Sequence, residues 1–275
     1  MTSILISRGD RELITHLALR ELRSRYKRTA LGWGWSMLNP LLTAVIYSFV
    51  FGQFLKIKPS VGDPSGLHNF TLFLLAGLLP WNLIGSGLPA AMGALVGNAG
   101  LVKKVRFRRD SLVIASVAAA GVTLLIELFV LGTMMLVLGH RSALPFIPAI
   151  VGLVVLESLF VLGIGLVLAA ANVYFRDLQY LTNIGLMAWM YLSPLLYPIT
   201  FVPVHGRVFG HRLPLRFLLR LNPMARFLGA FRETMYDLRY PSLKTWLSLV
   251  ASAAFVLWIG FAVFHRLQGR FAEEL

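Results

Sequence analysis

Cysteine is absent from this chain of 275 residues, and acidic residues are few, since 12 Asp and Glu stand against 26 Lys and Arg. Without cysteine there is no disulfide, no thiolate metal site and no thiol nucleophile. Charged residues make up only 14% of the chain and hydrophobic residues 57%, with a mean hydropathy of +0.73. Soluble domains are about 45–50% apolar and about 25% charged. The composition therefore predicts an integral membrane protein.

Motifs of membrane-bound enzymes are also missing. A nucleotide-binding phosphate loop ends in Gly-Lys, and no Gly-Lys dipeptide occurs in the chain. Any ATP hydrolysis must come from another chain, which would also bind the ATP and Mg²⁺. A membrane glycosyltransferase needs clustered carboxylates to hold a divalent cation, but the aspartates are scattered singly and the histidines lack metal-ligand spacing. We expect no enzyme activity, no metal site and no cofactor in this chain.

The net charge of +14 could indicate a nucleic-acid partner. A nucleic-acid-binding protein carries its basic residues on a soluble fold with polar faces. Here the basic residues lie between apolar runs, and this favours anionic lipid headgroups and an acidic protein partner over nucleic acid.

A charged helix precedes the first apolar run. Residues 10–28 place apolar side chains at intervals of four, from Ile14 to Tyr26, with arginines on the other face. The segment is too charged to cross a bilayer, so we expect an amphipathic helix in the membrane interface. The alternative is an ordinary soluble helix that packs on a partner.

Six apolar runs are long enough to be membrane spans. The predicted fold is all-α, a single transmembrane domain over residues 1–275 in which Pro80 and Pro89 kink or break the second span. We expect short external helices between spans five and six, within an external gate-like segment at 201–241. The predicted spans cover about 35–54, 70–96, 111–138, 145–171, 180–200 and 242–264.

Orientation follows from the distribution of Lys and Arg. With both termini cytoplasmic, the segments inside hold fifteen basic residues and the short outside loops hold three. The segment 201–241 is an exception, since it would lie outside yet carries seven arginines. A five-span topology without 180–200 would remove the conflict, but long segments translocate with less regard to charge, and we expect six spans.

Two carboxylates and several glycines lie inside predicted spans. Glu127 and Glu157 would cost about 2.5–3.5 kcal/mol each if ionised there. They predict either neutral, hydrogen-bonded side chains or the proton relay of a proton-coupled secondary transporter. The pairs Gly93 with Gly97 and Gly163 with Gly165 are typical of close helix packing, within the chain or between two copies.

Several stretches together resemble the ABC-2 type permeases that export O-antigen, teichoic acid, galactan and related cell-envelope polysaccharides. The resemblance covers roughly residues 11–265. In one departure, Arg108 stands where the family usually has proline after the KVRF segment. The stretches are RELITHLALRELRSRYKRTALGWGWSMLNPLL, YSFVFGQFL, LVKKVRF, NVYFRDLQY, SPLLYPI and LNPMARFLGAFRE.

The resemblance implies a homodimer of six-span subunits in the plasma (inner) membrane, bound to two copies of a separate ATPase subunit. Its substrate would be a polyprenyl-pyrophosphate-linked glycan that moves from the cytoplasm to the outer side. The basic segment after span two would be the coupling helix that docks into the ATPase; a topological anchor that keeps the loop on the cytoplasmic side is the alternative. Its residues are Val102, Lys103, Lys104, Val105, Arg106 and Phe107.

The resemblance also assigns two further groups of residues. Arginines at the cytoplasmic headgroup level would meet the lipid pyrophosphate, because guanidinium groups make bidentate phosphate contacts; headgroup snorkelling is the alternative. Aromatic rings would line the glycan pathway, although aromatics also collect at membrane interfaces without such a role. The arginines are Arg20, Arg23, Arg25 and Arg28, and the rings are Tyr47, Phe51 and Tyr191.

Overall fold

The computed structural model describes residues 8–26, 32, 34–54, 56, 61–105, 107–137, 139, 144–197, 199–208 and 211–275. Within these residues the protein is almost entirely helical. The α-helices are α1 (Arg8–Tyr26), α2 (Gly34–Tyr47), α3 (Phe70–Gly93), α4 (Ala99–Lys104), α5 (Asp110–Val137), α6 (Ile147–Tyr174), α7 (Leu178–Tyr191), α8 (Leu215–Leu221), α9 (Pro223–Met235), α10 (Leu243–Leu267) and α11 (Phe271–Glu274).

Shorter elements join these helices. A π-helix, Ser48–Phe54, continues α2, and 3₁₀ turns lie at Val96–Asn98, Leu144–Phe146, Ile199–Phe201 and Gln268–Arg270. A small antiparallel hairpin, β1 (Gly206–Val208) with β2 (His211–Leu213), precedes α8. The sequence reading did not predict this hairpin.

Among the described residues, four helices are long and apolar enough to cross a membrane. They agree with the second, third, fourth and sixth predicted spans to within a few residues. The side chain of Asn69 starts the first of them, since its Oδ1 accepts hydrogen bonds from the backbone N–H groups of Thr71 and Leu72. The four segments are Phe70–Gly93, Asp110–Val137, Leu144–Tyr174 and Leu243–Arg270.

The two other predicted spans differ from these four. The first is composed of α2 and its π-helical continuation, and its apolar helical part, Leu41–Phe54, is shorter than the four long spans. The fifth ends at Tyr191 instead of residue 200, because a proline follows at position 194 and the residue before a proline avoids the helical region. The 14 residues of α7 reach about 21 Å, less than the roughly 30 Å hydrocarbon core of a bilayer.

The core lies around α3, which packs on α5, α6 and α9. Leu74, Ile84 and Leu88 on this helix are almost completely buried. Both of its prolines lie inside one continuous α-helix, so the predicted break at Pro80 or Pro89 is absent. Neighbouring helices can satisfy the carbonyls that a proline frees within a membrane.

The helix α9, which lies in the segment 201–241 predicted to be external, belongs to this core as well. Phe227, Leu228 and Phe231 on its apolar face are fully buried, and the Phe227 ring lies 5.5 Å from the ring of Phe160 in α6. The segment between the last two predicted spans is therefore packed on the helix bundle through one face.

The helix α1 packs on α5 through the face that its sequence predicts. Leu17 and Leu22 are buried, and Leu13, Ile14 and Ala18 lie against the core. The apolar stripe of α1 thus meets protein in the same chain.

Helices α6 and α10 cross at two glycines. A Cβ atom on Gly163 would lie 2.6 Å from the backbone of Val256, and one on Gly260 would meet the carbonyl oxygen of Gly163. Gly163 therefore permits close packing within one chain. A Cβ on Gly165 would meet Ala91 of α3 at 2.8 Å, whereas Gly93 and Gly97 have nothing within 4 Å.

Candidate functional site

The predicted coupling segment begins as the short helix α4. Val102 is buried and Phe107 lies partly buried against the core, while Lys103, Lys104 and Val105 are exposed. Arg106 lies outside the described residues. Two apolar side chains thus attach this segment to the bundle, and its two ammonium groups project away from it, as a surface that meets an acidic partner would require.

A hydrogen bond joins α1 to Asn98, the residue before α4. The Nη2 of Arg20 donates to Oδ1 of Asn98 at 2.7 Å, and Nδ2 of Asn98 donates to the carbonyl oxygen of Ala94 at 2.8 Å. One of the arginines predicted to meet a lipid pyrophosphate therefore also ties α1 to α4. Arg23 is exposed, and Arg28 and the side chain of Arg25 lie outside the described residues.

The C-terminal turn contacts the same region from another side. Nη1 of Arg109 donates to the carbonyl oxygen of Gln268, and the hydroxyl of Tyr174 donates to that of Leu267 at 3.1 Å. Phe271 is fully buried, with its ring 5.3 Å from that of Phe264. The segment between α4 and α5 is thus joined to the last residues of the chain.

Arg108, where the family usually has proline, has a defined partner. Its Nη2 lies 2.8 Å from Oδ2 of Asp110, and Asp110 is only 2% exposed. Asp110 is the first residue of α5, where a carboxylate is favoured by the positive end of the helix dipole. Arg108, which departs from the family pattern, therefore forms an ion pair with the carboxylate at the start of α5.

The three predicted pathway rings have different surroundings. Tyr47 and Phe51 lie on one face with their centroids 6.0 Å apart, and Phe51 lies 6.4 Å from Phe70 at the start of α3. Tyr191 is 55% exposed at the end of α7. Its carbonyl oxygen accepts a hydrogen bond from the hydroxyl of Tyr197 at 3.0 Å. Their contact with a glycan stays a prediction.

The end of α7 is bound by a side chain that sequence reasoning missed. Asn222 precedes α9, and its Oδ1 accepts hydrogen bonds from the backbone N–H of Met224 at 3.0 Å and from Nε1 of Trp189 at 2.9 Å. Its Nδ2 donates to the carbonyl oxygen of Leu192 at 3.2 Å and to Oγ of Ser193 at 3.0 Å. Asn222 therefore joins the start of α9 to the last turn of α7.

A second missed residue, Arg232, binds just beyond that turn. Its Nη1 and Nη2 donate to the carbonyl oxygens of Pro194 and Leu195, each at 2.5 Å. Its Cζ lies 3.9 Å from the centroid of the Phe73 ring, a cation–π geometry. Burial lowers the pKa of Arg232 to about 9, and the charge of Asp237 opposes this shift, so the guanidinium remains protonated at neutral pH.

The seven arginines of 201–241 could have pointed to Arg232. External segments of membrane proteins usually carry few basic residues, so seven arginines in a segment predicted to be external need a reason. An arginine that binds groups within the protein supplies such a reason. Sequence alone does not show which of the seven it is, because the carbonyls at Pro194 and Leu195 are almost forty residues away.

The two carboxylates of the spans are both buried. Glu127 is 6% exposed and Glu157 is fully buried. Neither carboxylate oxygen of Glu157 has a hydrogen-bond partner among the described residues. The buried polar side chains of the described spanning helices include no Lys, Arg or His. Over the same part of the chain, no three His, Asp or Glu form a group that could hold a metal ion.

Comparison with known proteins extends these observations over nearly the whole chain. Residues 12–236 match the family model of the ABC-2 type transporter. The chain is 29% identical over 267 residues to the O-antigen export system permease protein RfbA of Klebsiella pneumoniae, covering 96% of this chain and 95% of that protein. It is 28% identical over 274 residues to the protein of the same name from Myxococcus xanthus, covering 96% of each.

A second type of relative carries a different substrate in its name. The polysialic acid transport protein KpsM of Escherichia coli is 26% identical over 242 residues, which cover 86% of this chain and 90% of that protein. The match to the family model takes in most of α1 and all of the coupling segment, α7 and α9. From the apolar spanning helices and this match, we conclude that the chain is a membrane-embedded member of the ABC-2 type transporter family.

Proposed function

We propose that this chain is the permease subunit of an ATP-binding-cassette exporter that moves a polyprenyl-pyrophosphate-linked polysaccharide from the cytoplasm to the outer side of the plasma (inner) membrane. Relatives that match over nearly their full length are named for O-antigen export and polysialic acid transport. In this proposal both termini are cytoplasmic, the chain acts as a homodimer, and two copies of a separate subunit hydrolyse ATP.

The exposed stripe of α7 is the observation that carries this proposal. Tyr180, Ile184 and Met187 are more than 60% exposed, and Gln179 and Asn183 lie exposed beside them. None of the residues of α7 is buried. Amides and phenols on an apolar helix are poorly matched to lipid tails, but they suit contact with a second subunit and with the hydroxyl groups and ring faces of sugars.

The supply of energy follows from what the chain lacks and from the coupling segment. No phosphate-binding loop is present in the sequence, so ATP and Mg²⁺ bind to the partner subunit. The exposed Lys103 and Lys104 form the docking surface on α4. Closure of the ATPase pair would move this segment as a rigid body. The hydrogen bonds of its flanking residues, from Arg20 to Asn98 and from Arg109 to Gln268, would pass the movement to the bundle.

The arginines of α1 supply the proposed recognition of the substrate headgroup. Arg20 and Arg23 are exposed at the surface of α1, and Arg25 and Arg28 follow them in the sequence. Guanidinium groups fit the paired oxygens of a pyrophosphate, and the same groups attract anionic lipids. The polyprenyl tail would remain in the bilayer while the glycan passes between the two subunits.

Co-expression with the ATPase subunit tests the composition of the complex. We expect the two chains to co-purify in a two-to-two complex whose ATPase activity requires both and is inhibited by vanadate. A permease that purifies alone and transports glycan under a pH gradient without ATP would refute the proposal and favour a proton-coupled transporter.

A further inference from the structure

We propose that Asn222 and Arg232 are positioning residues that hold the end of α7, and with it Tyr191, at the outer end of the transport pathway, so that α7 and α9 move as one unit. This inference rests on the proposed export function for the role of the pathway. The hydrogen bonds from Asn222 and Arg232 to the end of α7, here called the α7–α9 joint, are present in the fold independently of that function.

The α7–α9 joint supplies hydrogen-bond donors to backbone carbonyls at the end of α7. The last turn closes with hydrogen bonds from the N–H of Leu192 to the carbonyl of Ala188 and from the N–H of Ser193 to that of Met190. Beyond this turn the carbonyl of Tyr191 accepts from the hydroxyl of Tyr197, and that of Ser193 accepts from the N–H of Leu195. The carbonyls of Leu192, Pro194 and Leu195 have no backbone donor among the described residues, and proline at position 194 has no N–H. In a membrane protein such groups need internal partners.

Asn222 satisfies the first of these carbonyls with an unambiguous amide orientation. Its Oδ1 faces two donors, the backbone N–H of Met224 and the indole N–H of Trp189. Its Nδ2 must then be the group that donates to the carbonyl of Leu192 and to the hydroxyl of Ser193. One side chain thus begins α9, fixes a ring of α7 and closes the end of α7.

Arg232 satisfies the next two carbonyls with the two ends of its guanidinium. The planar fork reaches the adjacent carbonyl oxygens of Pro194 and Leu195 simultaneously, which a single ammonium group cannot do equally well. Gly77 of α3 leaves space for this fork, since a Cβ at that position would lie 2.8 Å from Nη2 of Arg232. The fork is thus enclosed between α3 and the residues after α7.

Asn222 and Arg232 attach α9 to the end of α7 at two points. Two points fix the orientation of one helix relative to the other, whereas a single point would leave it free to rotate. Asn222 and Arg232 are ten residues apart, or about 15 Å along the axis of α9. The helix α9 is itself anchored in the core by Phe227 and Phe231, whereas α7 has no buried residue of its own. Leu186, Trp189 and Met190 of α7 are only partly buried against the core, so the bonds from α9 add two fixed points next to Tyr191.

Two conservative substitutions separate positioning from folding. Asn222→Asp keeps an acceptor for Met224 and Trp189 but removes the donor to Leu192. Arg232→Lys keeps the positive charge but loses the fork. Ser242→Ala is the matched control, since Ser242 caps α10 by accepting a hydrogen bond from the N–H of Thr245 and has no role at α7. Its loss costs about 1 kcal/mol.

Two measurements on the complete complex with its ATPase decide the question. The first is glycan exported per ATP hydrolysed, which we expect to fall about tenfold or more in Asn222→Asp and Arg232→Lys, because small misplacements in a site have effects up to about 100-fold. Ser242→Ala should retain the wild-type ratio. The thermal midpoint of each purified variant shows whether the losses exceed those of the control.

The second measurement does not require transport. Because the chain has no cysteine, Ala188→Cys gives a single spin-label site on α7, at an exposed residue outside the stripe of Tyr180, Ile184 and Met187. We expect the label to become more mobile in Asn222→Asp and Arg232→Lys than in wild type or Ser242→Ala. Unchanged mobility in both would overturn the positioning role. Greater mobility with an unchanged export ratio would overturn the link to the pathway, and a wild-type complex that exports no glycan would refute the proposed function instead.

Discussion

At the scale of single residues, Gly163 occupies the closest contact between α6 and α10. The backbone of Val256 leaves no space for a methyl group there. We expect Gly163→Ala to destabilise the protein by about 1–3 kcal/mol through overpacking, measured as a lower thermal midpoint of the purified protein. Gly132→Ala is the control, because nothing lies within 4 Å of its added Cβ and alanine favours helices. Equal midpoints for the two variants would contradict the packing at this crossing.

The aromatic residues of the pathway have a second test at this scale. If Tyr47, Phe51 and Tyr191 contact the glycan, their replacement by alanine should reduce export while subunit association and basal ATP turnover remain. The exposed Tyr191 should show the clearest separation, because its truncation removes little packing. Tyr47 and Phe51 pack within the chain, and part of their effect will be a loss of stability. Full export by all three variants would eliminate the pathway assignment.

Arg20 and Arg23 form a matched pair on α1. Arg20 is bonded to Asn98 near the coupling segment, whereas Arg23 is exposed. We expect Arg20→Met to lower the stimulation of ATP turnover by the permease, and Arg23→Met to raise the concentration of lipid-linked glycan at which export is half-maximal. Identical effects of the two substitutions would show that the bond to Asn98 does not contribute to coupling.

At the scale of elements, the coupling segment yields a prediction about association. Lys103→Glu with Lys104→Glu places negative charges on an exposed surface, where substitutions cost little stability, and opposes an acidic cleft on the ATPase. We expect weaker assembly and lower export with an unchanged thermal midpoint. Lys244→Glu, at the exposed N-terminus of α10, is the control for the change in charge. Unchanged assembly in the double variant would leave the segment as a topological anchor.

The sequence predicted those helices that are determined by the pattern of neighbouring residues along the chain. The spans at α3, α5, α6 and α10 follow from long apolar runs, and the apolar face of α1 follows from its periodicity. The prediction for α7 was too long because residues 192–200 remain apolar while Pro194 ends the helix. Of the kink or break predicted at Pro80 and Pro89, the break is absent, since α3 is one continuous helix.

The α7–α9 joint could not be predicted from the sequence. It brings the side chains of Asn222 and Arg232 to carbonyls about thirty to forty residues away, and backbone carbonyls leave no signature in a sequence. The same is true of the bond between Arg20 and Asn98, which are 78 residues apart. The arginines of α1 were predicted to bind phosphate from their type and position, and only the fold shows that one of them also contacts the coupling region.

At the scale of the whole molecule, the exposed stripe of α7 gives a test of the homodimer. We expect Ile184→Cys, in this cysteine-free chain, to form a cross-linked dimer with a short bifunctional thiol reagent. Phe129→Cys on α5 is comparably exposed, at 73% against 67%, but belongs to a different face and should remain monomeric. Cross-linking of both or neither would contradict a subunit contact along α7.

Transport by the purified complex tests the central claim most directly. Permease and ATPase subunits are reconstituted together in proteoliposomes that contain lipid-linked polysaccharide, and a glycosidase in one compartment reports when the glycan reaches that side. We predict that the glycan becomes accessible only with hydrolysable ATP and both subunits, and that vanadate prevents it. Accessibility that develops without ATP, or that an imposed pH gradient drives, would contradict the account.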